Sequence, residues 1–322
     1  MRQSDPGTAP LLDAAPEQFR GKFNIESFMF RHNMAGHPLF ELPRLATLAE
    51  CMLQRGDTRK FVALGGKTNT AATKFTAMPP QERLAATVRE LAGANAWLKI
   101  SSADVADAEY SAVLQQALRE IEELAGMPLR REITWSSLTV FLASPHVVTP
   151  YHIDHESNFL LQIHGAKDVS LFDPNDRQLL PEAQIESFYS GDLQAAQYRE
   201  ELQSRGTVYP LVPGTAIHNP PLGPHWVQNG ADVSISVSIG FCMRSLDRRA
   251  RVYQVNHYLR KVGLGPTPPG RSTLSDRLKI AGIGMLSKSN PTTPDEILFS
   301  GVERLSGPPR KVRKWIRSLR GA

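Results

Sequence analysis

Cysteine is almost missing from this chain: Cys51 and Cys242 are the two among 322 residues. They lie far apart in unrelated contexts, which argues against a disulfide framework and reads as buried thiols in a reducing compartment. Long apolar runs are also missing, since none approaches the ~20 residues that a membrane-crossing helix needs. The first stretch, Met1 to Pro16, is polar and proline-rich without a basic-then-apolar signal pattern. These absences predict a cytoplasmic protein with no transmembrane segment. Hydrophobic residues at 41% and charged residues at 21% still supply a real core, and the length suits one large domain or two.

Charge is unevenly placed. From Arg244 to Ala322 there are 17 Lys and Arg against five Asp and Glu, net +12, while residues 1–243 hold 20 against 27, net −7. A basic end on an acidic body predicts an anionic partner or an oligomer contact. Within it, Val312, Trp315, Ile316 and Leu319 share one helical stripe with cations around it. That stripe predicts a homodimer seam, with a membrane-surface or nucleic-acid contact as the rival.

Three regions follow from the hydrophobic pattern. Residues 1–131 are mainly helical after a flexible first twenty residues, with helices expected over 39–54, 79–92 and 106–125 and a short strand at 61–64 outside the barrel core. Pro79-Pro80 is a helix start and Gly126 a stop. Residues 132–243 change to short β runs, near 133–143, 147–153, 158–164, 168–173, 207–212, 214–218, 224–229 and 232–241. Eight such strands predict a mainly β protein with flanking helices, its core a double-stranded β-helix of jelly-roll or cupin type with a ligand mouth. The polar insert from Pro181 to Arg205 is expected to be partly helical and to cover that mouth. Residues 244–322 form a basic helical region, broken by the Pro/Gly-rich stretch at 263–270.

The β region carries the chemistry. Thr149-Pro-Tyr-His152-Ile-Asp154 is followed 71 residues after the Asp by Pro224-His225-Trp226. His-x-Asp alone is a weak signal in a chain with nine His. Its context is an apolar strand, a Gly turn at Gly165, a second apolar strand, and a later strand that can bring His225 alongside. Side chains on a strand alternate, so His152 and Asp154 project to one side. Two imidazoles and a carboxylate on one face hold non-haem Fe(II) and leave three positions open, two for a bidentate 2-oxo acid and one for O2. His155 and His164 have the wrong parity or distance to join that face; His218 is a candidate pocket residue.

Between Trp135 and Phe241 the chain resembles the JmjC or cupin-like Fe(II)/2-oxoglutarate oxygenases, especially those similar to the asparaginyl hydroxylase that inhibits hypoxia-inducible factor. The resemblance implies His152, Asp154 and His225 as iron ligands. It implies Lys167 and Thr149 as the residues that bind the distal carboxylate of 2-oxoglutarate, and Asn158 as a polar wall of the co-substrate pocket. Lys167 suits that task as a point charge with three donors. Ser238 departs from the pattern, since those hydroxylases often carry Asn there. The activity implied is hydroxylation of a C–H bond, with succinate and CO2 as co-products and a peptide, protein side chain or small molecule as substrate. N-demethylation by the same chemistry, a non-catalytic metal-binding cupin module, and an RNA-associated protein acting through its basic tail are the alternatives.

Overall fold

The computed structural model describes residues 9–57, 61–65, 70 and 84–306. Its strands are β1 (Leu12–Asp13), β2 (Phe28–His32), β3 (Phe61–Gly65), β4 (Ala96–Ile100), β5 (Ile133–Ala143), β6 (Val148–His152), β7 (Ser157–His164), β8 (Lys167–Leu171), β9 (Thr207–Leu211), β10 (Thr215–Asn219), β11 (His225–Asn229) and β12 (Ser234–Met243). Its helices are α1 (Pro16–Lys22), α2 (Leu42–Gln54), α3 (Leu84–Arg89), α4 (Ala103–Ala106), α5 (Ala108–Ala125), α6 (Leu129–Glu132), α7 (Glu182–Tyr189), α8 (Arg244–Lys261), α9 (Thr273–Leu286) and α10 (Pro294–Ser306). Two compact units divide them: Met1–Leu180 with Ala196–Arg244, and Pro181–Ala195 with Ser245–Ala322.

The first unit is a jelly roll of two antiparallel sheets. The larger runs β1-β2-β10-β7-β12-β5-β4-β3 and the smaller β6-β11-β8-β9. Every residue of the central strand β12 is buried, because both of its faces are covered. Ser234, Ser236 and Ser238 alternate with Ile235, Val237 and Ile239. Leu160, opposite Ser238 in register, packs with Val169, Leu171, Ile217 and Val227, so the serine face looks into the space between the sheets. The apolar face meets an aromatic layer in which Phe19 stacks on Phe159 at 5.0–6.4 Å spacing with its neighbours Phe28, Phe30, Phe23 and Phe241. Burying rings of this size supplies a large share of the core's stabilisation.

All eight expected strands form, with ends shifted by at most two residues. α5 begins two residues later than expected, where Asp107 caps the helix by accepting from Glu109 N–H, and stops as expected at Gly126, with φ of 68°. Two expectations need correction. Residues 9–20 are not loose: the N–H groups of Leu11 and Leu12 donate to the Glu120 carboxylate at 2.9 and 2.8 Å, β1 pairs with β2, and Phe19 is fully buried. Phe61–Gly65 is the expected short strand outside the eight core strands, an edge strand of the large sheet paired with β4. Cys242 is buried as expected, whereas Cys51 is exposed. Strands β2 and β4, inside the region read as helical, complete the large sheet.

In the second unit, Arg260 donates from Nε and Nη2 to the two oxygens of the buried Glu186 at 2.7 and 2.9 Å, and Tyr189 stacks on Tyr253 at 5.6 Å. Among the described residues no helix is long and apolar enough to cross a membrane. The stripe Val312, Trp315, Ile316, Leu319 lies outside the described residues, as does the helix start Pro79-Pro80.

The β7–β8 turn depends on Gly165. Its φ is 69°, and a Cβ there would lie 2.2 Å from the Val233 carbonyl oxygen. Gly165→Ala is therefore expected to cost about 1–3 kcal/mol, read as a lower urea midpoint at unchanged m-value. An unaltered midpoint would show that the turn relaxes without cost.

Candidate metal centre

β11 lies between β6 and β8 in the small sheet, and this placement assembles the site. His152 closes β6, His225 opens β11, and the two are direct partners in the antiparallel register. Their ring centroids are 4.0 Å apart. Asp154 lies two residues beyond the end of β6, in the connection to β7, and its Oδ2 stands 3.6 Å from His225 Nε2. One donor atom from each of the three side chains lies within 4.8 Å of the others. Residues 71 apart in sequence thus meet on one face.

Backbone carbonyls orient both imidazoles. His152 Nδ1 is 2.7 Å from Pro150 O, and His225 Nδ1 is 3.0 Å from Gly223 O. A proton on each Nδ1 satisfies a carbonyl and leaves Nε2 as a lone-pair donor, the form in which neutral His binds metals. Burial, aided by the neighbouring His152, pushes His225 down to about 4, so it is neutral at pH 7. Burial presses the Asp154 carboxyl upward, but His152, His225 and Lys99 outweigh it and hold the group below its ordinary value. Two imidazoles with Nε2 turned to the site and an ionised carboxylate are the donor set that suits a divalent first-row cation.

The other expected site residues fall on the same inner surface. Alternation along β11 puts His225, Val227 and Asn229 on one face; Thr149 pairs with Val227 and Lys167 with Asn229. Thr149 is 7% and Lys167 6% exposed. Asn158 pairs with Asn219 of β10 and Gly240 of β12, and its Oδ1 accepts from Ser238 Oγ at 3.0 Å. The departure at Ser238 is thus matched to Asn158. Deeper along the strand, Ser236 Oγ donates to Gln162 Oε1 at 2.6 Å and Gln162 Nε2 donates to Ser234 Oγ at 3.0 Å.

Several residues near the donors were not singled out from sequence. Burial, then the neighbouring Asp154 charge, pushes Glu156 up to about 7. Lys99 lies 5.8 Å from the centre of the Phe141 ring, its partner across the β4–β5 pair. Asn219 and Gly223 both touch His225. Cross-strand register brings them in, and register between distant strands leaves little trace in a linear pattern.

The remaining histidines do not join the centre. His218 points to the opposite side of the large sheet, among Phe23, Phe28 and Phe159. There it accepts from Asn24 N–H at 3.0 Å through Nε2, and burial lowers it to about 3. It lines no part of the site. His155 is buried with Nε2 2.9 Å from Cys242 Sγ, and His164 is exposed. The insert also departs from expectation. Gln203 contacts Ser170 Oγ and accepts from Trp226 Nε1–H at 3.0 Å, and Tyr198 packs on Tyr151 and Trp226. Ser170 and Trp226 alternate with the interior residues Val169 and His225, so this part of the insert covers the outside of the small sheet, not the mouth.

A family model described as the cupin-like domain matches residues 37–246, a span that holds the three donors, Thr149, Asn158 and Lys167. No curated protein matches the chain. Among solved structures the chain is similar to the ribosomal oxygenase YcfD of Escherichia coli in complex with cobalt and 2-oxoglutarate, at 13% identity over 96% of this chain and 71% of that one, with a TM-score of 0.48. It is similar to a crystal structure of Escherichia coli ribosomal oxygenase YcfD at 15% identity, 95% and 70% coverage and a TM-score of 0.47. A further X-ray structure of Escherichia coli YcfD gives 14%, 95%, 71% and 0.49.

Lys167 generates a test of its own. Burial alone lowers its ammonium from 10.5 to about 7, with no carboxylate of the described residues offsetting it. Below pH 7 both folded and unfolded chains hold the proton, and the folded state bears the full desolvation cost. Between pH 7 and 10.5 the unfolded chain keeps a proton that the folded one has lost, so stability rises with pH. Lys167→Met is expected to stabilise the ligand-free protein at pH 7 by about 2–4 kcal/mol and to flatten that rise. Denaturant titrations at pH 7 and 10 check it; a destabilised Met variant would contradict an uncompensated buried charge.

Proposed function

Because the chain belongs to the cupin-like domain family, we propose that it is an Fe(II)- and 2-oxoglutarate-dependent dioxygenase that hydroxylates a C–H bond. The observation that carries the reading is the pairing of two features on one inner surface. One is a His152/Asp154/His225 donor set that leaves three coordination positions open; the other is a buried lysine without a carboxylate of its own. A metal-binding cupin without turnover has a use for the first and none for the second.

In this reading His152, Asp154 and His225 hold the iron. An iron held there would supply the chemistry by which O2 and 2-oxoglutarate react together, one oxygen atom entering succinate and the other the substrate. CO2 leaves, and the substrate C–H becomes C–OH. Lys167 pairs with the distal carboxylate of 2-oxoglutarate and Thr149 adds a hydrogen bond of about 0.5–1.5 kcal/mol. Asn158, held by Ser238, forms a polar wall beside it. The buried walls exclude water and fix the co-substrate in one orientation.

His152→Ala and Asp154→Ala are expected to abolish binding of Fe(II) by anaerobically prepared protein and, with it, succinate formation from 2-oxoglutarate. Lys167→Ala is expected to keep the metal and to weaken 2-oxoglutarate binding tens-fold or more, since removing one member of a buried charge pair costs on the order of 2–5 kcal/mol. An Asp154→Ala protein with full turnover would overturn the assignment of the donors. Unchanged 2-oxoglutarate affinity in Lys167→Ala would move the co-substrate cation elsewhere.

A further inference from the structure

The turn from β10 to β11, Asn219-Pro-Pro-Leu-Gly-Pro224, touches two of the three metal donors. Leu222 N–H donates to the Asp154 carbonyl at 2.8 Å. Gly223 O lies 3.0 Å and Asn219 Nδ2 3.1 Å from His225 Nδ1. Leu222 holds a φ of 66°, a left-handed conformation that strains a leucine and persists only where surroundings enforce it. Gly223 leaves no room for a side chain, because a Cβ would lie 2.2 Å from Asn219 Oδ1 and 3.0 Å from Pro220 O. Asn219 itself is 6% exposed, and its Oδ1 is buried with no hydrogen-bond partner among the described residues.

Counting protons assigns that amide a task. A neutral imidazole has one N–H and one lone pair. With Nε2–H facing Asp154 Oδ2, Nδ1 is an acceptor and Asn219 Nδ2 can donate to it. With the Nε2 lone pair given to a cation, the proton sits on Nδ1, which then donates to Gly223 O. Beside that N–H an amide NH2 sets donor against donor, while the unpartnered Oδ1 lies half a rotation away. Turning the amide brings Oδ1 to the Nδ1–H, shared there with Gly223 O, in exchange for the long 3.4 Å bond that Nδ2 gives Gly223 O.

We propose that Asn219 is a positioning residue of the metal centre, whose side-chain carbonyl accepts from His225 Nδ1–H and so selects the tautomer that offers Nε2 to a divalent cation. Leu222 and Gly223 complete the device: one fixes the backbone of Asp154, the other the ring of His225. The turn thus prepares two ligands at once. This rests on the reading of His152, Asp154 and His225 as a metal site.

The test is Co(II) binding to the full chain, by calorimetry and by the visible absorption of the bound ion, for wild type, Asn219→Ala, Asn219→Leu and Asn219→Asp. Asn219→Ala and Asn219→Leu are expected to bind Co(II) 10–100-fold more weakly, the range seen when a group behind a ligating histidine is removed, and to shift the spectrum. Asn219→Asp, which keeps an acceptor at the same place, is expected to return to within a few-fold of wild type or tighter. A packing role alone predicts no such rescue. Should Asn219→Ala fail to fold, the near-isosteric pair Asp and Leu decides the matter. Affinities and spectra of Ala and Leu variants equal to wild type, or an Asp variant as weak as Leu, would overturn the proposal. A wild-type protein that takes up no Co(II) would instead overturn the metal-site reading beneath it.

Discussion

The antiparallel pairing of β6 with β11 is the constraint on which the rest depends. It sets His152 directly opposite His225, at a separation that no local element could produce from residues this far apart. Everything around it holds that pairing at one register. β8 flanks β11 on its other side, and the Gly165 turn that leads into β8 tolerates no side chain. The β10–β11 turn then reaches back to the Asp154 backbone. A slip of one residue in β11 would turn His225 outward and bring Trp226 into the site.

Polarity inside the barrel has an unusual source. In a sandwich with one wet face, strand alternation separates solvent from core. β12 has no wet face, yet it alternates all the same. Its hydroxyls meet Asn158 and Gln162 within the barrel, while its branched residues meet the aromatic layer around Phe159. The polar side of the alternation is thus turned toward the space between the sheets instead of toward water. This explains how a fully buried strand can be rich in serine without leaving those hydroxyls unpaired: Ser234, Ser236 and Ser238 each have a partner.

Much of this was legible in the residues themselves, for identifiable reasons. The eight strands between 133 and 243 alternate strongly and are separated by Gly and Pro, and the His-x-Asp pair lies where such a strand ends. Thr149, Asn158 and Lys167 were reached through resemblance, since nothing in their immediate neighbourhood marks them out. β2 and β4 were missed because each is five residues long among helices, too short to impose a period of its own. Residues 9–20 looked loose because their anchor, Glu120, lies more than a hundred residues away. The insert was placed over the mouth on the strength of its length; Gln203, Tyr198 and their contacts with Trp226 and Tyr151 hold its second half to the opposite surface. Asn219 gave no signal at all, since its meaning comes from the distance to one ring nitrogen.

On the proposed role of Lys167, anion capture would also be an exchange of protons with the medium. At neutral pH a group held at about 7 is shared between its charged and neutral forms, whereas an anion seated against it requires the charged one. Each binding event therefore draws in about half a proton at pH 7 and nearly a whole one a unit or two higher. The heat of binding then varies with the ionisation enthalpy of the buffer, and affinity falls away on the alkaline side. On that reading, a residue placed to recognise a carboxylate would make the site responsive to acidity close to the physiological range.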